Sequence, residues 1–297
     1  MMAKKFSGIY VALLTPFAGD EVAADKFQDN IRKYNEHGLA GYLVLGSTGE
    51  CVSLTDEESE RLVRAAREAA AKGMAVIAGT ARESTRLTID FTNRMADCGA
   101  DAALVRPPAY FKSKMTSEAL KAHYLTLADR ARLPIILYNI PQNTGITLEA
   151  KLIVELAGHP NIVGLKESSG TIPFLGELVR QLPADFSYLL GHGSAFLPAL
   201  LMGASGAILA VANAAPEICV SIYSLFSEGK IREAAARQLD LIPLNKAVME
   251  VYGIPGLKHA LDRRGWYGGP VRSPLLPIEE KGRAEIDALL KSLGLVA

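Results

Sequence analysis

The chain has 297 residues, of which 49% are hydrophobic, and this is enough for one α/β barrel or for two smaller globular domains. Lysine plus arginine and aspartate plus glutamate both number 32, so the formal net charge is zero. Because no long basic run is present, we expect no nucleic-acid partner. No apolar stretch approaches the length of a membrane span, so we also expect no membrane partner.

The three cysteines, Cys51, Cys98 and Cys219, are far apart and include no C-x-x-C pair. Their odd number and spacing argue against a disulfide framework and against a zinc site. The HExxH spacing and clustered carboxylates of a metalloenzyme are lacking as well, so we expect no metal. The first residues lead into a predicted strand without a signal-type apolar segment, and we therefore expect a cytoplasmic location.

Short apolar and β-branched runs alternate with longer amphipathic segments, which is typical of repeated βα units. The runs predict eight strands, at 8–14, 41–45, 75–78, 102–105, 135–138, 162–166, 187–190 and 206–210. Segments between them, such as 55–72 and 84–98, carry apolar residues at helical spacing. Thr55 and Glu58 have the pattern of a capping box, and Gly73 stands where a helix C-cap glycine is expected. Eight βα units predict a TIM (β/α)8 barrel.

After the eighth predicted strand, the chain continues for more than 80 residues with further helical patterns. Two of these, at 216–227 and 230–251, exceed what a barrel of eight units requires. We therefore predict a catalytic barrel over residues 1–223 and a small C-terminal helical domain over residues 224–297.

Lys166 ends the sixth predicted strand, and the active sites of such barrels lie at the carboxyl ends of the strands. Desolvation in a dry barrel mouth disfavours an ammonium and leaves free amine that can attack the carbonyl carbon of a 2-oxo acid. Alternatively, the side chain extends from the strand end into solvent. Position alone does not separate these interpretations.

Other strand ends carry hydroxyl groups. The loop Gly46-Ser47-Thr48-Gly49-Glu50 could present backbone N–H groups to a small anion, although most glycine-rich turns are only turns. Tyr138 could move protons beside an imine, or it could be a core aromatic residue. Ser168 adds a hydroxyl two residues after Lys166, while Glu167 should point to the opposite face of the strand.

Three motifs in this order and spacing together carry a family resemblance: Gly46-Ser47-Thr48-Gly49-Glu50, Tyr138-Asn139-Ile140-Pro141 and Gly164-Leu165-Lys166-Glu167. The chain resembles, over nearly its whole length, the dihydrodipicolinate synthase / N-acetylneuraminate lyase (DapA-like) family of class I aldolases. The resemblance implies a TIM barrel with a helical C-terminal domain and a homotetramer built as a dimer of dimers. It also implies a 2-oxo acid such as pyruvate as the substrate, with no metal and no organic cofactor.

The resemblance also implies roles for individual residues. Lys166 matches the Schiff-base lysine, Tyr138 the tyrosine that protonates and deprotonates the substrate, and Ser47 the hydroxyl of the proton relay. Thr48 falls in the loop that holds the substrate carboxylate. Tyr110, in Pro107-Pro108-Ala109-Tyr110, matches a relay tyrosine that in many members reaches into the neighbouring active site.

Two further positions, Gly191 and Ile208, match residues whose backbone approaches the bound pyruvyl group. His192, which follows Gly191, could touch the substrate or be a solvated loop residue. We interpret Lys258 and His259, in a helical stretch near the C-terminus, as structural.

Departures from the family pattern bear on the second substrate. Typical dihydrodipicolinate synthases carry an arginine for the carboxylate of aspartate semialdehyde where this chain has Asn143, and an amide does not replace that charge. Leu87 stands where bacterial members commonly carry an acidic ligand for feedback lysine. The run 143–145 and the stretch 252–270 are more similar to 4-hydroxy-2-oxoglutarate aldolase, in which Ser168 would contact the distal substrate group. Thr48 departs from that branch, because its eukaryotic enzyme has asparagine there.

We therefore predict an enzyme that cleaves 4-hydroxy-2-oxoglutarate to pyruvate and glyoxylate through an imine on Lys166. One alternative is 4-hydroxy-tetrahydrodipicolinate synthase, which condenses pyruvate with aspartate semialdehyde. A second is an aldolase or dehydratase of 2-keto-3-deoxy sugar acids. A third is a catalytically silent barrel that senses 2-oxo acids, since a fold alone does not establish activity.

Overall fold

A computed structural model describes residues 4–297. Its strands are β1 (Gly8–Ala12), β2 (Phe17–Ala18), β3 (Glu21–Val22), β4 (Gly41–Val44), β5 (Ala75–Gly79), β6 (Ala102–Val105), β7 (Ile135–Asn139), β8 (Ile162–Glu167), β9 (Ser187–Leu190) and β10 (Gly206–Leu209). Eight of them form a closed parallel barrel in the order β1-β10-β9-β8-β7-β6-β5-β4. The predicted TIM barrel is confirmed.

The α-helices of residues 4–297 follow the strands and continue past the barrel. They are α1 (Ala24–Tyr34), α2 (Asp56–Ala69), α3 (Thr85–Asp97), α4 (Ser117–Arg130), α5 (Pro141–Thr144), α6 (Ala150–Leu156), α7 (Ile172–Val179), α8 (Phe196–Leu201), α9 (Pro216–Ser227), α10 (Ile231–Lys246), α11 (Gly253–Arg263) and α12 (Glu280–Ser292). A π-helix, Ala247–Val251, joins α10 to α11. Short 3-10 turns follow several strands, including Ser47–Gly49 after β4.

The barrel strands are short and almost wholly buried, because side chains on one face fill the barrel interior and those on the other face pack under helices. The parallel pairing sets the neighbours at the carboxyl end of the barrel. In β7 and β8, Tyr138 lies directly beside Lys166, and Asn139 lies beside Glu167. The strand register therefore brings the predicted tyrosine and lysine together.

The predicted capping box begins α2, with the Thr55 hydroxyl accepting from Glu58 N at 3.1 Å and Glu58 Oε2 accepting from Thr55 N at 2.9 Å. The expectation for Gly73 is wrong. The helix ends at Ala69, and Ala70 is already extended. Gly73 has φ +89° in the turn that leads into β5, which is a conformation that glycine adopts easily.

The structure changes the interpretation of residues 216–227. We predicted this helix as surplus to the barrel, but α9 packs against β1 and serves as the eighth helix of the βα series. The predicted division between residues 223 and 224 falls inside α9. Helices α10 to α12 and the π-helix form the C-terminal helical layer, which packs against α9 and reaches over the barrel mouth.

Three further features concern residues 4–297 as a whole. The hairpin of β2 and β3 was not predicted from the sequence pattern. No helix in this range is both long and apolar enough to cross a membrane. No group of three or more His, Cys, Asp or Glu side chains in the same range is arranged to hold a metal ion, and the three cysteines there are unpaired.

Candidate active site

A cavity of about 620 Å³ opens at the carboxyl end of the barrel. Most of the residues proposed from the sequence line it, namely Ser47, Thr48, Tyr138, Asn143, Lys166, Ser168, Gly191 and Ile208. The barrel strands contribute the floor, the loops after β4, β7, β8 and β9 contribute the walls, and the C-terminal helical layer contributes one side. The site lies where active sites of this fold are found.

The floor of the cavity holds Lys166 beside Tyr138. The lysine is 4% exposed, and its Nζ donates to the Tyr138 hydroxyl at 3.2 Å. The same Nζ lies 4.4 Å from the centroid of the tyrosine ring. A primary amine and a phenol at this distance can exchange a proton directly or through a reacting group placed between them.

Lys166 forms no ion pair with any of residues 4–297, although a carboxylate follows it in the chain. Glu167 is fully buried on the opposite face of β8, as predicted, where Oε2 accepts from Asn139 Nδ2 at 2.6 Å and Oε1 accepts from Ser169 N at 2.5 Å. Burial raises the pKa of Glu167, while these hydrogen bonds lower it. The polar partner of the lysine is therefore a phenol and not a carboxylate.

The loop after β4 is held in an unusual conformation. Leu45 (φ +60°) and Glu50 (φ +54°) bracket it, and they are the non-glycine residues with left-handed backbone among residues 4–297. A Cβ on Gly49 would lie 3.0 Å from Leu13 O, so the loop lies close against the end of β1. The Thr15 hydroxyl donates to Gly49 O at 2.7 Å. This packing fixes the position from which Ser47 and Thr48 enter the cavity.

Glu50 anchors the same loop to the C-terminal helical layer. Its Oε1 lies 2.7 Å from Lys258 Nζ, with both side chains at most 2% exposed, and its Oε2 accepts from Arg272 N at 3.0 Å. Burial lowers the pKa of Lys258, and the ion pair with Glu50 opposes that shift. The expectation that Lys258 is structural agrees with this arrangement.

Gly191 and Ile208 lie beside the lysine. A Cβ on Gly191 would be 1.9 Å from Ser168 Oγ and 3.1 Å from Lys166 Cε, so a side chain at this position would obstruct the reacting amine. Ile208 is fully buried in β10 and forms an apolar part of the lining. The absence of a side chain at position 191 opens the path from Lys166 towards the mouth.

Tyr110 is the one predicted site residue that lies outside the cavity of its own chain. Its side chain is 80% exposed, and its ring packs edge to face on Phe111 at 5.1 Å. Glu83 Oε2 accepts from the backbone N–H groups of Ala109 and Tyr110 at 2.8 and 2.9 Å, which fixes this turn. The ring of Tyr110 therefore faces away from the cavity of its own chain.

The chain matches the model of the dihydrodipicolinate synthetase family over residues 5–293. It belongs to this family. The 4-hydroxy-tetrahydrodipicolinate synthase of Methanoculleus marisnigri is 36% identical over 293 residues, covering 97% of this chain and 98% of the relative. The enzyme of the same name from an Exiguobacterium species is 34% identical over 287 residues, which cover 95% of this chain and 96% of the relative. The crystal structure of dihydrodipicolinate synthase from Aquifex aeolicus superposes with a TM-score of 0.93 at 33% identity, covering 98% of this chain and 99% of that one.

Family membership confirms the resemblance, and with it the enzyme class, which is that of class I lyases and aldolases. The predicted specificity for 4-hydroxy-2-oxoglutarate is not confirmed. The curated relatives described above carry the synthase name, so they favour the alternative over the first prediction.

Sequence patterns missed the part of the cavity that the C-terminal layer supplies. These residues are Asn245, Val248, Met249, Glu250, Gly253, Ile254 and Leu257. His192 also lines the cavity. Its position favours contact with the substrate over the alternative of a solvated loop residue. The local signals were Pro243 inside a helical stretch and Gly253 after it, which mark an irregular helix but not its position over the barrel mouth.

Proposed function

We propose that the enzyme forms an imine between Lys166 Nζ and the 2-oxo carbon of pyruvate and uses it to make or break a carbon–carbon bond. The observation that carries the proposal is the buried Lys166, free of any carboxylate and 3.2 Å from the Tyr138 hydroxyl, on the floor of the cavity. An amine in this setting is available as a nucleophile. The family membership supports the same chemistry.

The chemistry balances with the groups that line the cavity. The Lys166 amine adds to C2 of pyruvate, and loss of water leaves an iminium ion. Tyr138 protonates the departing hydroxyl in that dehydration, and its oxygen then takes a C3 proton, because the iminium withdraws electrons; the resulting enamine attacks an aldehyde carbon through C3. Hydrolysis of the iminium that remains after this addition releases the product and regenerates the Lys166 amine and the Tyr138 phenol. Tyr138 is placed to give a proton to the new alkoxide and to take it back in the cleavage direction. General acid–base catalysis of this kind contributes roughly 10²–10⁴-fold.

The loop after β4 supplies the remaining polar groups. We assign Ser47 to the proton relay, and Ser47 with Thr48 to the carboxylate of pyruvate, because both line the cavity on a loop whose backbone is fixed at both ends. Tyr110 completes a relay only in a neighbouring chain, and a homotetramer built as a dimer of dimers would place it there. A crystal structure of a monomeric variant of this family's enzyme is among the similar structures, so assembly is to be measured for this chain.

The first candidate for the second substrate is aspartate semialdehyde. The relatives named 4-hydroxy-tetrahydrodipicolinate synthase align over almost their full length and support this reaction. Asn143 lines the cavity in the position where typical synthases have arginine, and its amide can donate a hydrogen bond but carries no charge.

Asn143 is also the observation that favours a second candidate, the cleavage of 4-hydroxy-2-oxoglutarate to pyruvate and glyoxylate. Ser168 also lines the cavity, and its hydroxyl could donate to the distal end of that substrate. Aldol cleavage or dehydration of 2-keto-3-deoxy sugar acids uses the same imine. A silent barrel that binds 2-oxo acids would form the imine and release no product.

Reduction with sodium borohydride in the presence of pyruvate, followed by mass spectrometry of peptides, tests the imine. We expect a reduced pyruvyl adduct on Lys166, and an unmodified Lys166 would overturn the proposed function. Lys258 serves as an internal control, since it is equally buried but held by Glu50, and it should remain unlabelled.

Turnover assays then separate the candidates. Each assay offers one reaction, namely pyruvate plus aspartate semialdehyde, or 4-hydroxy-2-oxoglutarate alone. We expect the higher kcat/KM for the condensation with aspartate semialdehyde. Faster cleavage of 4-hydroxy-2-oxoglutarate would reverse that order, and an adduct without any turnover would identify the silent barrel.

A further inference from the structure

The distal end of the cavity has a charge that the proposed function leaves unexplained. Among the residues that line the cavity, Lys166 is the single lysine, arginine is absent, and Glu250 is the single carboxylate. Once Lys166 is committed to the imine, Glu250 is the remaining Lys, Arg, Asp or Glu side chain of the lining. An aldehyde that binds here meets a negative side chain and no guanidinium.

The position of Glu250 is defined by the loop after β9. His192 Nε2 lies 3.8 Å from Glu250 Oε1, so the two side chains are neighbours in the cavity lining. A Cβ on Gly170 would lie 3.0 Å from His192 Cδ2, which shows that the imidazole packs directly on the turn after β8. His192 Nδ1 is buried and has no hydrogen-bond partner among residues 4–297.

Helix α10, which leads directly into the π-helix that carries Glu250, is fastened to the segment after β9. Gln238 Nε2 donates to Gly193 O at 2.9 Å, and Gln238 Oε1 accepts from Leu197 N at 2.8 Å. Asn245 Nδ2 donates to Ser194 Oγ at 2.9 Å, and a Cβ on Gly193 would lie 2.4 Å from Asn245 Oδ1. These contacts hold α10 and the π-helix over the barrel mouth. π-helices in proteins often occur at functional sites.

A path leads from the reacting amine to this pair. Gly191 lies against Lys166 Cε, and His192 is the next residue along the loop. A substrate bound as an imine at Lys166 and extended past the face of Gly191 therefore presents its distal end to His192 and Glu250.

We propose that Glu250, positioned by His192, is a specificity-determining residue that selects a second substrate with a hydrogen-bond donor, an ammonium or a hydroxyl, at its distal end. A carboxylate at that end meets Glu250 and is disfavoured by like charge. The ammonium of aspartate semialdehyde is one such donor, with its carboxylate left to the Asn143 amide. The hydroxyl groups of a short sugar aldehyde are the other possible hydrogen-bond donors to Glu250. This inference rests on the proposed imine at Lys166.

The test compares three aldehydes with the wild-type enzyme and with Glu250→Gln. Pyruvate is the common first substrate, and aspartate semialdehyde, D-glyceraldehyde and glyoxylate are the second. Because Glu250 is partly exposed, we expect kcat/KM for a donor-bearing aldehyde to fall by about three- to tenfold, mainly through KM. We expect kcat/KM for glyoxylate to stay the same or rise. A larger fall in kcat/KM for aspartate semialdehyde identifies the ammonium as the donor. A larger fall for D-glyceraldehyde identifies the hydroxyl.

A charge reversal and a matched control sharpen the test. Glu250→Lys should raise kcat/KM for glyoxylate above the wild-type value. Glu233→Gln, an exposed carboxylate in the first turn of α10 outside the cavity, should change none of the three values. Equal losses for all three aldehydes, or no change for any of them in Glu250→Gln, would overturn the proposal.

Borohydride trapping keeps this inference separate from the proposed function. Both Glu250 variants should form the reduced pyruvyl adduct on Lys166 to the wild-type extent, because the imine forms at the other end of the cavity. Failure of the wild-type enzyme to form the adduct would overturn the proposed imine itself. A normal adduct with an unchanged aldehyde preference in the variants would overturn only the role of Glu250.

Discussion

Two lysines are buried among residues 4–297, and both lie over an aromatic ring but differ in their polar partners. Lys166 Nζ lies 4.4 Å from the ring centroid of Tyr138, and Lys258 Nζ lies 4.5 Å from the ring centroid of Phe17. Lys258 also lies 2.7 Å from Glu50 Oε1 and donates to Pro270 O at 2.6 Å. Lys166 has the Tyr138 hydroxyl and no carboxylate.

The difference shows how one side chain serves two purposes. A buried ammonium paired with a carboxylate and a carbonyl oxygen stays charged, is not nucleophilic and joins two parts of the fold. A buried lysine without a carboxylate partner has no ion pair to break before its amine attacks a carbonyl carbon. Under the proposed function, the neighbouring carboxylate, and not burial itself, separates the paired Lys258 from the nucleophile Lys166.

The largest effect should come from removing the reactive amine. We expect Lys166→Met to abolish the borohydride adduct and to lower kcat by more than about 10⁴-fold, because the covalent imine is the electron sink of the reaction. The free energy of unfolding, measured in urea, should not fall, since methionine fills a similar volume without a buried amine. Retained turnover would show that Lys166 is not the nucleophile.

Tyr138→Phe tests the neighbour that distinguishes the Lys166 site. We expect kcat to fall by about 10²–10⁴-fold, which is the usual contribution of a positioned acid–base group. The pyruvyl adduct should still form, although more slowly. Single-turnover trapping separates imine formation from the later aldol step. Wild-type kcat in this variant would remove Tyr138 from the proton transfers.

Breaking the ion pair between Glu50 and Lys258 should lower the stability of the fold more than it lowers activity. We expect Lys258→Met to lower the free energy of unfolding by about 3–5 kcal/mol, because it leaves the Glu50 carboxylate buried without a cation. The double variant Glu50→Gln/Lys258→Met should recover much of this loss. The adduct on Lys166 should still form, with a higher KM for pyruvate because Glu50 anchors the loop of Ser47 and Thr48. A single variant as stable as the wild type would contradict the structural role.

His123 shows a third way to bury a base, which is to keep it neutral. Burial lowers its pKa to about 4, and its Nδ1 shares a hydrogen bond with the Thr85 hydroxyl at 2.9 Å. The unfolded chain binds the proton near pH 6.5, so the stabilising contribution is present above that pH and is lost as the pH falls towards 4. Between about pH 7 and pH 4 this costs about 2–3 kcal/mol.

A neutral replacement at this position gives the comparison. We expect His123→Gln to lose less stability than the wild type over the same pH interval, as measured by urea unfolding at each pH. If the free energy of unfolding falls with pH by the same amount in both proteins, His123 is not the group whose protonation in the unfolded chain causes the loss.

Much of the barrel and the centre of the site could be predicted because both depend on short-range patterns. Buried strands appear as apolar runs, and helices as apolar spacings of three and four residues. The carboxyl ends of parallel strands meet at one mouth, so Lys166 and Tyr138 could be placed together before their contact was seen. The alternation of strand faces likewise predicted that Glu167 points away from the lysine.

The predictions that failed concern residues whose role depends on distant partners. The pattern of α9 is that of any amphipathic helix, and only its contact with β1 assigns it to the barrel. Gly73 follows the end of α2 by several residues, because the helix ends earlier than its apolar spacing indicates. The substrate prediction, made from motifs near Asn143, is not among the failures: it is unconfirmed, and the family relatives favour the synthase alternative.

The sequence by itself determined the order of the βα units, the family and the position of Lys166 at the end of the sixth barrel strand, because strand periodicity and motif spacing are local properties of the chain. The tertiary structure decided which buried lysine is paired with a carboxylate and which carboxylate lines the cavity. Glu50 and Lys258 are 208 positions apart, and His192 and Glu250 are 58 apart. Contacts between such distant residues arise only when the C-terminal helices pack over the barrel, because burial and side-chain pairing depend on the folded chain and leave no periodic pattern in the sequence.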